Sequence, residues 1–586
     1  MLPRDSLRQA KVSQVNKLIP NWRNIRSGDA PWFRAFSPLL PGTLLVLLVL
    51  AAYLPALHAG FIWDDDDYVT GNSMLRSLEG LRQIWFKFGA VPQYYPLVHT
   101  TFWLEYHTWG LHPLGYHLVN ILGHGMAAFL FWRVLLRLEI PGAWLAAAVF
   151  AVHPVQVESV AWVSERKNVL SAIFYFAAAL SYWRYTTAQE TGSRDYQRWR
   201  FYIGALVLYV AALLSKTTTC SLPAALLLLC WWKQNRLKAA DIAPLLPFFV
   251  VGAVLGLMTT WIERTHVGAQ GAEWTFSFAD RCLIAGRALW FYASKLLLPI
   301  QLTFVYPRWQ IAANVWWQWL FPTAAVGLVA GLWWLRRRFG KGPLVAVLLF
   351  AGTLAPALGF INFYPMRYSF VADHFQYLAA ASLIALGAAG MARLPQIIRV
   401  LWIAILGVLT WQQANVYQNL ETLWRDTLAK NPGCFLAHQN LGLLLQNEGK
   451  LVEAEKHWQK ACQLRPEDGD MYYNWATLLI LEGRITEAIS NYYQAVRLKP
   501  GQAEIRNNLA VALHSVNRVE EAIVQYHEAI RCQPDHATAH FNLGVALEEQ
   551  QKRDEAIEHY QMALRIKPDL RSARNRLRAL GVSVPP

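Results

Sequence analysis

Between Leu39 and Ala414, apolar stretches of about 15 to 22 residues follow one another with short polar interruptions, each long enough or nearly long enough to cross a bilayer. That pattern predicts a polytopic transmembrane helical bundle. The composition agrees: 55% hydrophobic residues, 16% charged and 27 Trp is too apolar for a soluble domain of this size. Candidate crossings are 39–58, 116–135, 142–161, 168–184, 200–214, 219–232, 243–262, 313–335, 343–361, 373–390 and 396–414, about 11 in all. Met1 to Arg34 carries seven Lys/Arg against two Asp. Placing this 1–38 basic tail in the cytoplasm puts Arg133/Arg137, Arg184 to Arg200, Lys233/Arg236/Lys238, Arg336 to Arg338 and Arg393 on the same side. The acidic loop and the region after 414 then face outward. The first apolar stretch has no clear small-residue cleavage site and is read as a retained helix.

The segment 280–298 is long enough to span but carries Asp280, Arg281, Arg287 and Lys295. At 100° per residue these fall within an arc of about 120°, so an amphipathic helix on the outer surface is expected, with a twelfth crossing as the alternative. The basic residues suit membrane orientation better than nucleic-acid binding. The six cysteines (Cys220, Cys230, Cys282, Cys434, Cys462, Cys532) form no CxxC pair and no metal-ligand spacing.

After Ala414 the chain turns polar, and Pro432, Pro466, Pro500, Pro534 and Pro568 stand 34 residues apart. This is the period of the tetratricopeptide repeat (TPR). Full units are expected at 435–468, 469–502, 503–536 and 537–570, with a cap at 569–580, in a 415–586 α-solenoid following the 39–414 membrane domain; the whole chain is all-α. Small residues recur at Gly442, Ala476, Ala510 and Gly544, and at Ala454, Ala488, Ala522 and Ala556, with Trp458, Tyr492, Tyr526 and Tyr560 four residues after the latter. Close helix packing needs the small residues, and the aromatics fill the groove to the next repeat. Asn440, Asn474, Asn508 and Asn542 share one register on the first helix. Such a ladder offers donors and acceptors to the backbone of an extended peptide, the alternative being a packing consensus. It resembles the asparagine ladder in the repeats of the nucleocytoplasmic O-GlcNAc transferase.

Four carboxylates, Asp64 to Asp67, follow the first apolar stretch in "GFIWDDDDYVTGN". The loop they open, 59–115, is rich in aromatics and His, more elaborate than a plain connector. Other polar groups gather at the same predicted helix ends: His153, Glu158, Glu165, Arg166, Lys167; Lys216 with Thr217 to Thr219; Arg367, Asp373, His374. Ionisable residues near membrane depth are costly and mark functional sites. Carboxylates beside cations suit glycosyl transfer from a lipid phosphate, where a base takes the acceptor proton and cations stabilise the leaving phosphate.

The motifs "FIWDDDDYVTGN", "HPVQVESVAWVSERKNVLS", "LYVAALLSKTTTCSLPAALLL" and "KLLLPIQLTFVYP", followed by a TPR array, resemble the transmembrane and TPR-containing O-mannosyltransferases and their bacterial relatives, of the GT-C class. The resemblance implies transfer of a mannose-like hexose from a polyprenyl-phosphate donor to protein hydroxyls. It makes Asp64 and Asp65 catalytic and puts donor-phosphate contacts on Arg166, Lys167, Lys216 and Arg367. Asp67, His153, Glu158 and His374 would support them, and the four ladder asparagines would bind the acceptor. No metal is expected, with Mg²⁺ or Mn²⁺ on Asp64 and Asp65 as the alternative. The bacterial inner membrane with periplasmic repeats is expected, or the endoplasmic reticulum with luminal repeats for a eukaryotic chain. A non-catalytic TPR scaffold and a glycosyltransferase acting on lipid or polysaccharide are the rival readings.

Overall fold

In the computed structural model, residues 39–190, 195–234, 236–267, 271 and 274–583 are described. The basic tail 1–38 lies outside them. Every regular element among the described residues is helical. The chain divides into two compact units, Met1–Leu423 and Trp424–Pro586.

Among the described residues of the first unit, five helices are long and apolar enough to cross a membrane: Pro113–Arg137, Asp195–Ser215, Ala239–His266, Trp316–Phe339 and Gln396–Val416. A sixth, Ala143–Ala151 with Pro154–Ala161, is bent by 54°. Three shorter apolar helices are Leu40–Ala52, Gly342–Ala357 and Ala380–Met391. Several of the eleven expected crossings are therefore interrupted, and prolines and 3-10 turns mark the breaks. The first helix stops at Ala52 and gives way to a 3-10 turn, Leu54–His58, containing Pro55. Pro154 breaks 142–161, since the residue before a proline is pushed out of helical geometry and His153 is extended (ψ 127°).

The segment expected to lie on the surface forms the helix Phe278–Leu297, opened by a capping box between Ser277 and Asp280. One face is buried, where a Cβ on Gly286 would come within 2.5 Å of the Pro322 backbone nitrogen. Its charges are engaged by protein groups: Arg281 donates to the Gly359 carbonyl (2.6 Å), Arg287 lies over the Trp309 ring and Lys295 donates to the Ile300 carbonyl (2.7 Å).

The acidic loop is a small folded layer with its own core. Tyr68, Val69, Leu75, Ile84, Val98 and Phe102 pack together and reach Tyr116 and Val163. Its helices are Leu78–Phe86, capped by Ser77 accepting from the Gly80 amide (3.0 Å), and Pro96–Trp109.

In the second unit the repeats are helix pairs: Phe435–Asn447 with Leu451–Leu464, Gly469–Leu481 with Ile485–Leu498, Ala503–Ser515 with Val519–Cys532, and Ala537–Glu549 with Arg553–Ile566. Arg571–Ala579 follows. The repeated alanines and aromatics are buried. The turn inside each pair places Gly449, Gly483, Asn517 and Gln551 at φ between 61° and 77°. This left-handed stop favours Gly or Asn, so Gln551 costs about 1 kcal/mol.

Candidate active site

The acidic run begins with a kink. Trp63 has φ 49°, a left-handed conformation that costs a non-glycine residue about 1 kcal/mol, and its ring packs edge-on against Phe304. The four aspartates that follow have different surroundings. Asp65 is fully buried; its Oδ2 accepts from the Ile62 amide (2.9 Å) and its Oδ1 from the Ser164 amide (2.8 Å). Asp64 is partly buried, and its Oδ1 accepts from the Ser164 hydroxyl (2.8 Å). Asp66 and Asp67 are exposed. Asp67 lines a cavity of about 370 Å³ with Asn72, Gly89 and His266.

Ser164 belongs to the 3-10 turn Val163–Glu165, which runs directly into the helix Arg166–Glu190. The helix start therefore points its first side chains in different directions. Lys167 pairs with Glu165 (2.7 Å) and lies over the Tyr68 ring (5.2 Å). Lys216 approaches the other Glu165 oxygen (3.8 Å) and donates to Asn168 Oδ1 (2.6 Å). Asn168 in turn donates to Glu165 and to the Ser159 hydroxyl. His374 donates through Nδ1 and through its amide to Glu158, both at 2.9 Å, and its Nε2 stands 4.0 Å from Glu165. A side branch runs from Tyr68 OH to Gln93 and on to Glu263, each step 2.8 Å.

Arg166 is placed differently from the sequence expectation. Its guanidinium donates to Asn120 Oδ1 (2.7 Å), Thr101 Oγ1 (3.2 Å), the Tyr116 carbonyl (2.8 Å) and Glu105, and lies over the Phe102 ring. It ties the acidic-loop layer to the helix Pro113–Arg137 and faces away from the lysines' partner. His153 is also spent on structure, Nε2 donating to the Leu296 carbonyl (3.1 Å) and Nδ1 accepting from the Val155 amide. Arg367 ends the 3-10 turn Tyr364–Arg367, whose Tyr364 amide donates to Glu263.

Burial pushes the Asp64 carboxyl up to about 6, with Lys167 and the Ser164 hydroxyl pulling it back. Burial and then the charge of Asp64 push Asp65 up to about 8, against the two amide donors. At Glu165 burial opposes ionisation, yet His374, Lys167 and Lys216 outweigh it and hold the group at about 2. Lys216 is lowered to about 8 by burial and Lys167, with Glu165 opposing. If Asp64 must be ionised and Lys216 protonated for turnover, the pH profile of kcat/KM is bell-shaped, rising through about 6 and falling through about 8. Ser164→Ala removes a bond that favours the ionised Asp64, so it moves the acid limb upward; a flat profile from pH 5 to 9 would overturn these assignments.

The site sits at one end of its helices. Asn120 bonds Arg166 at that end, and Arg137 closes the same helix, about 25 Å away at 1.5 Å per residue. Arg184 lies as far from Arg166 along its own helix.

Ser164, Asn168, Tyr68, Gln93 and Glu263 carry the cluster without having been singled out by sequence, and Glu165 is its hub. No residue pattern marks Ser164 beforehand, because its partners lie 99 and 100 residues away. The ladder asparagines are not four equivalent groups. Asn440 donates to the Leu436 carbonyl of its own helix (2.7 Å). Asn542 donates to Asn507 (3.0 Å), Asn507 to Asn508 (3.1 Å) and Asn508 to Tyr473 OH (3.0 Å), a polar chain across three repeats. Asn474 is partly buried on Gly469–Leu481.

Tetratricopeptide repeat models match residues 473–530, 516–571 and 435–468. Among curated proteins, the chain is 24% identical over 467 residues to Protein O-mannosyl-transferase F38B6.6 of Caenorhabditis elegans, covering 72% of this chain and 62% of that one. It is 34% identical over 183 residues to Tmtc1 of Drosophila melanogaster (29% and 20% covered) and 36% over 152 residues to human TMTC3 (24% and 17%), both named protein O-mannosyl-transferases. The chain thus spans less than two thirds of the length of each of these relatives. Among solved structures, YrrB, a TPR protein described as having an unusual peptide-binding site, matches at 23% identity and TM-score 0.26 over 32% of this chain and 91% of its own. The chain carries TPR repeats and several helices able to cross a membrane, and it is similar to proteins named protein O-mannosyl-transferases.

Proposed function

We propose that the first unit transfers a hexose, mannose foremost, from a polyprenyl-phosphate donor to a hydroxyl of a protein acceptor, and that the repeats bind that acceptor. The observation that carries this reading is Asp64, a partly buried carboxylate fixed through Ser164 beside the buried lysines of the Glu165 cluster. Asp64 takes the proton of the acceptor hydroxyl as that oxygen bonds to the sugar C1. The C1–O bond to phosphate breaks with its electron pair going to the phosphate oxygen, where Lys167 and Lys216 stabilise the charge. Asp65 holds the loop through its two amide bonds. The separation of the acidic site from the basic helix ends supports an extracytoplasmic face for the chemistry. The names of the relatives support mannose and protein acceptors.

The test is transfer of labelled sugar from a panel of polyprenyl-phosphate sugars to protein, by purified wild type beside Asp64→Asn. Label on protein from one donor, lost in the variant, establishes the reading; label only on lipid or glycan transfers the acceptor assignment elsewhere.

We also propose that this chemistry runs on lysines in place of a divalent cation. Both Asp65 oxygens are taken by amides, and two buried lysines stand in the Glu165 cluster to meet a phosphate charge. Treatment with EDTA is expected to leave the transfer rate within about twofold. A loss above tenfold, restored by Mg²⁺ or Mn²⁺, would overturn the metal-free reading.

A further inference from the structure

The helix Trp316–Phe339 ends in three arginines, Arg336 to Arg338, and only 6% of its apolar window is buried against the rest of the protein. Its sides therefore face acyl chains where it crosses the membrane. Two more helix ends meet it there: Leu222–Gln234 finishes at Lys233, and Gly342–Leu354 begins just after Lys341. The Trp231 and Trp333 rings stack, 5.9 Å between centroids and 9° between planes, and so join the first of these ends to the arginines. Each cation is laid on a ring: Lys341 over Trp231 (4.3 Å), Arg336 over Trp333 (4.0 Å) and Lys233 over Trp232 (4.8 Å). Their hydrogen bonds go to carbonyls, Lys341 to Trp231 (3.1 Å), Arg336 to Trp333 and Lys233 to Leu138 (2.5 Å). Rings and carbonyls favour a cation without cancelling its charge. Among the described residues none of the three arginines is ion-paired with a carboxylate. The carboxylates on adjoining turns act elsewhere, Glu139 on Lys233 and Asp241 on the Lys238 amide (2.8 Å). Burial, and then the charge of Arg336, hold the Lys341 ammonium below its usual range. A helix end that merely orients the chain needs positive charge, but it does not need two like charges held together on stacked rings.

We propose that the junction of Trp231, Trp333, Arg336 and Lys341 binds an anionic phospholipid, with its phosphate between Arg336 and Lys341 and its acyl chains along Trp316–Phe339. The phosphate relieves the repulsion between the two cations, and a guanidinium meets phosphate oxygens with paired donors. Arg337 and Arg338 are exposed and add charge at headgroup level, beside the exposed rings of Trp334 and Phe339. Basic pockets between membrane helices suit such headgroups. The junction is separate from the acidic site. Leu222–Gln234 leads to it from the turn that follows Lys216, and Gly342–Leu354 leads away from it to Thr353, which lines a small cavity with Lys216 and Asn168. Either path is about 17 Å at 1.5 Å per residue. The inference does not depend on the transfer reaction.

The experiment titrates full-length, delipidated protein in detergent with phosphatidylglycerol or with phosphatidylcholine of the same acyl chains, counting bound lipid by native mass spectrometry. Wild type is expected to bind phosphatidylglycerol at least about tenfold more tightly. Arg336→Gln combined with Lys341→Gln is expected to bring the two lipids within about threefold of each other. Lys341→Gln alone, which serves if the double variant fails to fold, is expected to lose at least about threefold of the preference. Arg198→Gln with Arg200→Gln removes two ring-backed cations from the start of Asp195–Ser215 and is expected to leave the preference intact. Equal binding of the two lipids by wild type overturns the proposal. So does a preference lost equally in the Arg198 and Arg200 variant, which would mean attraction by overall charge. Displacement of phosphatidylglycerol by inorganic phosphate at the same concentration would reassign the site to the free anion and overturn the lipid.

Discussion

Asp64→Asn is expected to lower transfer by about 10²- to 10⁴-fold with the unfolding temperature unchanged. The asparagine carbonyl still accepts from the Ser164 hydroxyl, so the bond that positions the residue survives; only the capacity to take a proton is lost. Asp65→Asn is the contrasting case. An amide cannot accept through its nitrogen, so one of the two N–H donors, Ile62 or Ser164, loses its partner in a fully buried place. That costs about 1–3 kcal/mol and shifts the loop that carries Asp64, so transfer and stability fall together. Measuring both quantities for both variants separates a base from its anchor. Full activity in Asp64→Asn would sink the assignment.

Arg166→Met is expected to destabilise the first unit by about 3–5 kcal/mol, the cost of breaking a buried ion pair from one side. Glu105, 5% exposed and already pushed up by burial, would be left buried without the cation that favours its ionised form, and Asn120 Oδ1 and the Tyr116 carbonyl would each lose a donor. Lysine at this position does not restore stability, since a single ammonium cannot span four acceptors set out for a planar fork. Thermal unfolding of the purified variants in detergent reads the effect. A variant that unfolds at the wild-type temperature and shows only a raised KM for donor would return Arg166 to the phosphate.

Much of the fold was legible because it repeats. The proline period and the alanine and aromatic positions of the TPR units are long-range regularities, and the helix pairs follow them. The break at Pro154 was also legible in principle, since the rule on residues before proline applies to His153, but apolar length alone concealed it. The site was legible as a set of residue types and not as roles. Asp64 and Asp65 are indistinguishable as letters, and what separates them is the Ile62 amide and a serine a hundred residues away, which offers its amide to one and its hydroxyl to the other. Arg166 and Lys167 are adjacent cations, yet consecutive helical residues diverge by about 100°, which sends one into the Glu105 pocket and the other to Glu165. The ladder asparagines keep their register, but their hydrogen-bond partners depend on Tyr473 and Asn507, which belong to individual repeats and not to the consensus.

The solenoid has one consequence for how such a chain changes over generations. Each repeat buries its own alanines and aromatic and packs chiefly on its neighbours. Duplication or loss of one 34-residue unit recreates interfaces already present, so the array can grow or shrink with little thermodynamic penalty. The Asn542–Asn507–Asn508–Tyr473 chain is the exception. An insertion between Ala503 and Ala537 would cut it, which makes the middle of the array the place where copy number is hardest to alter.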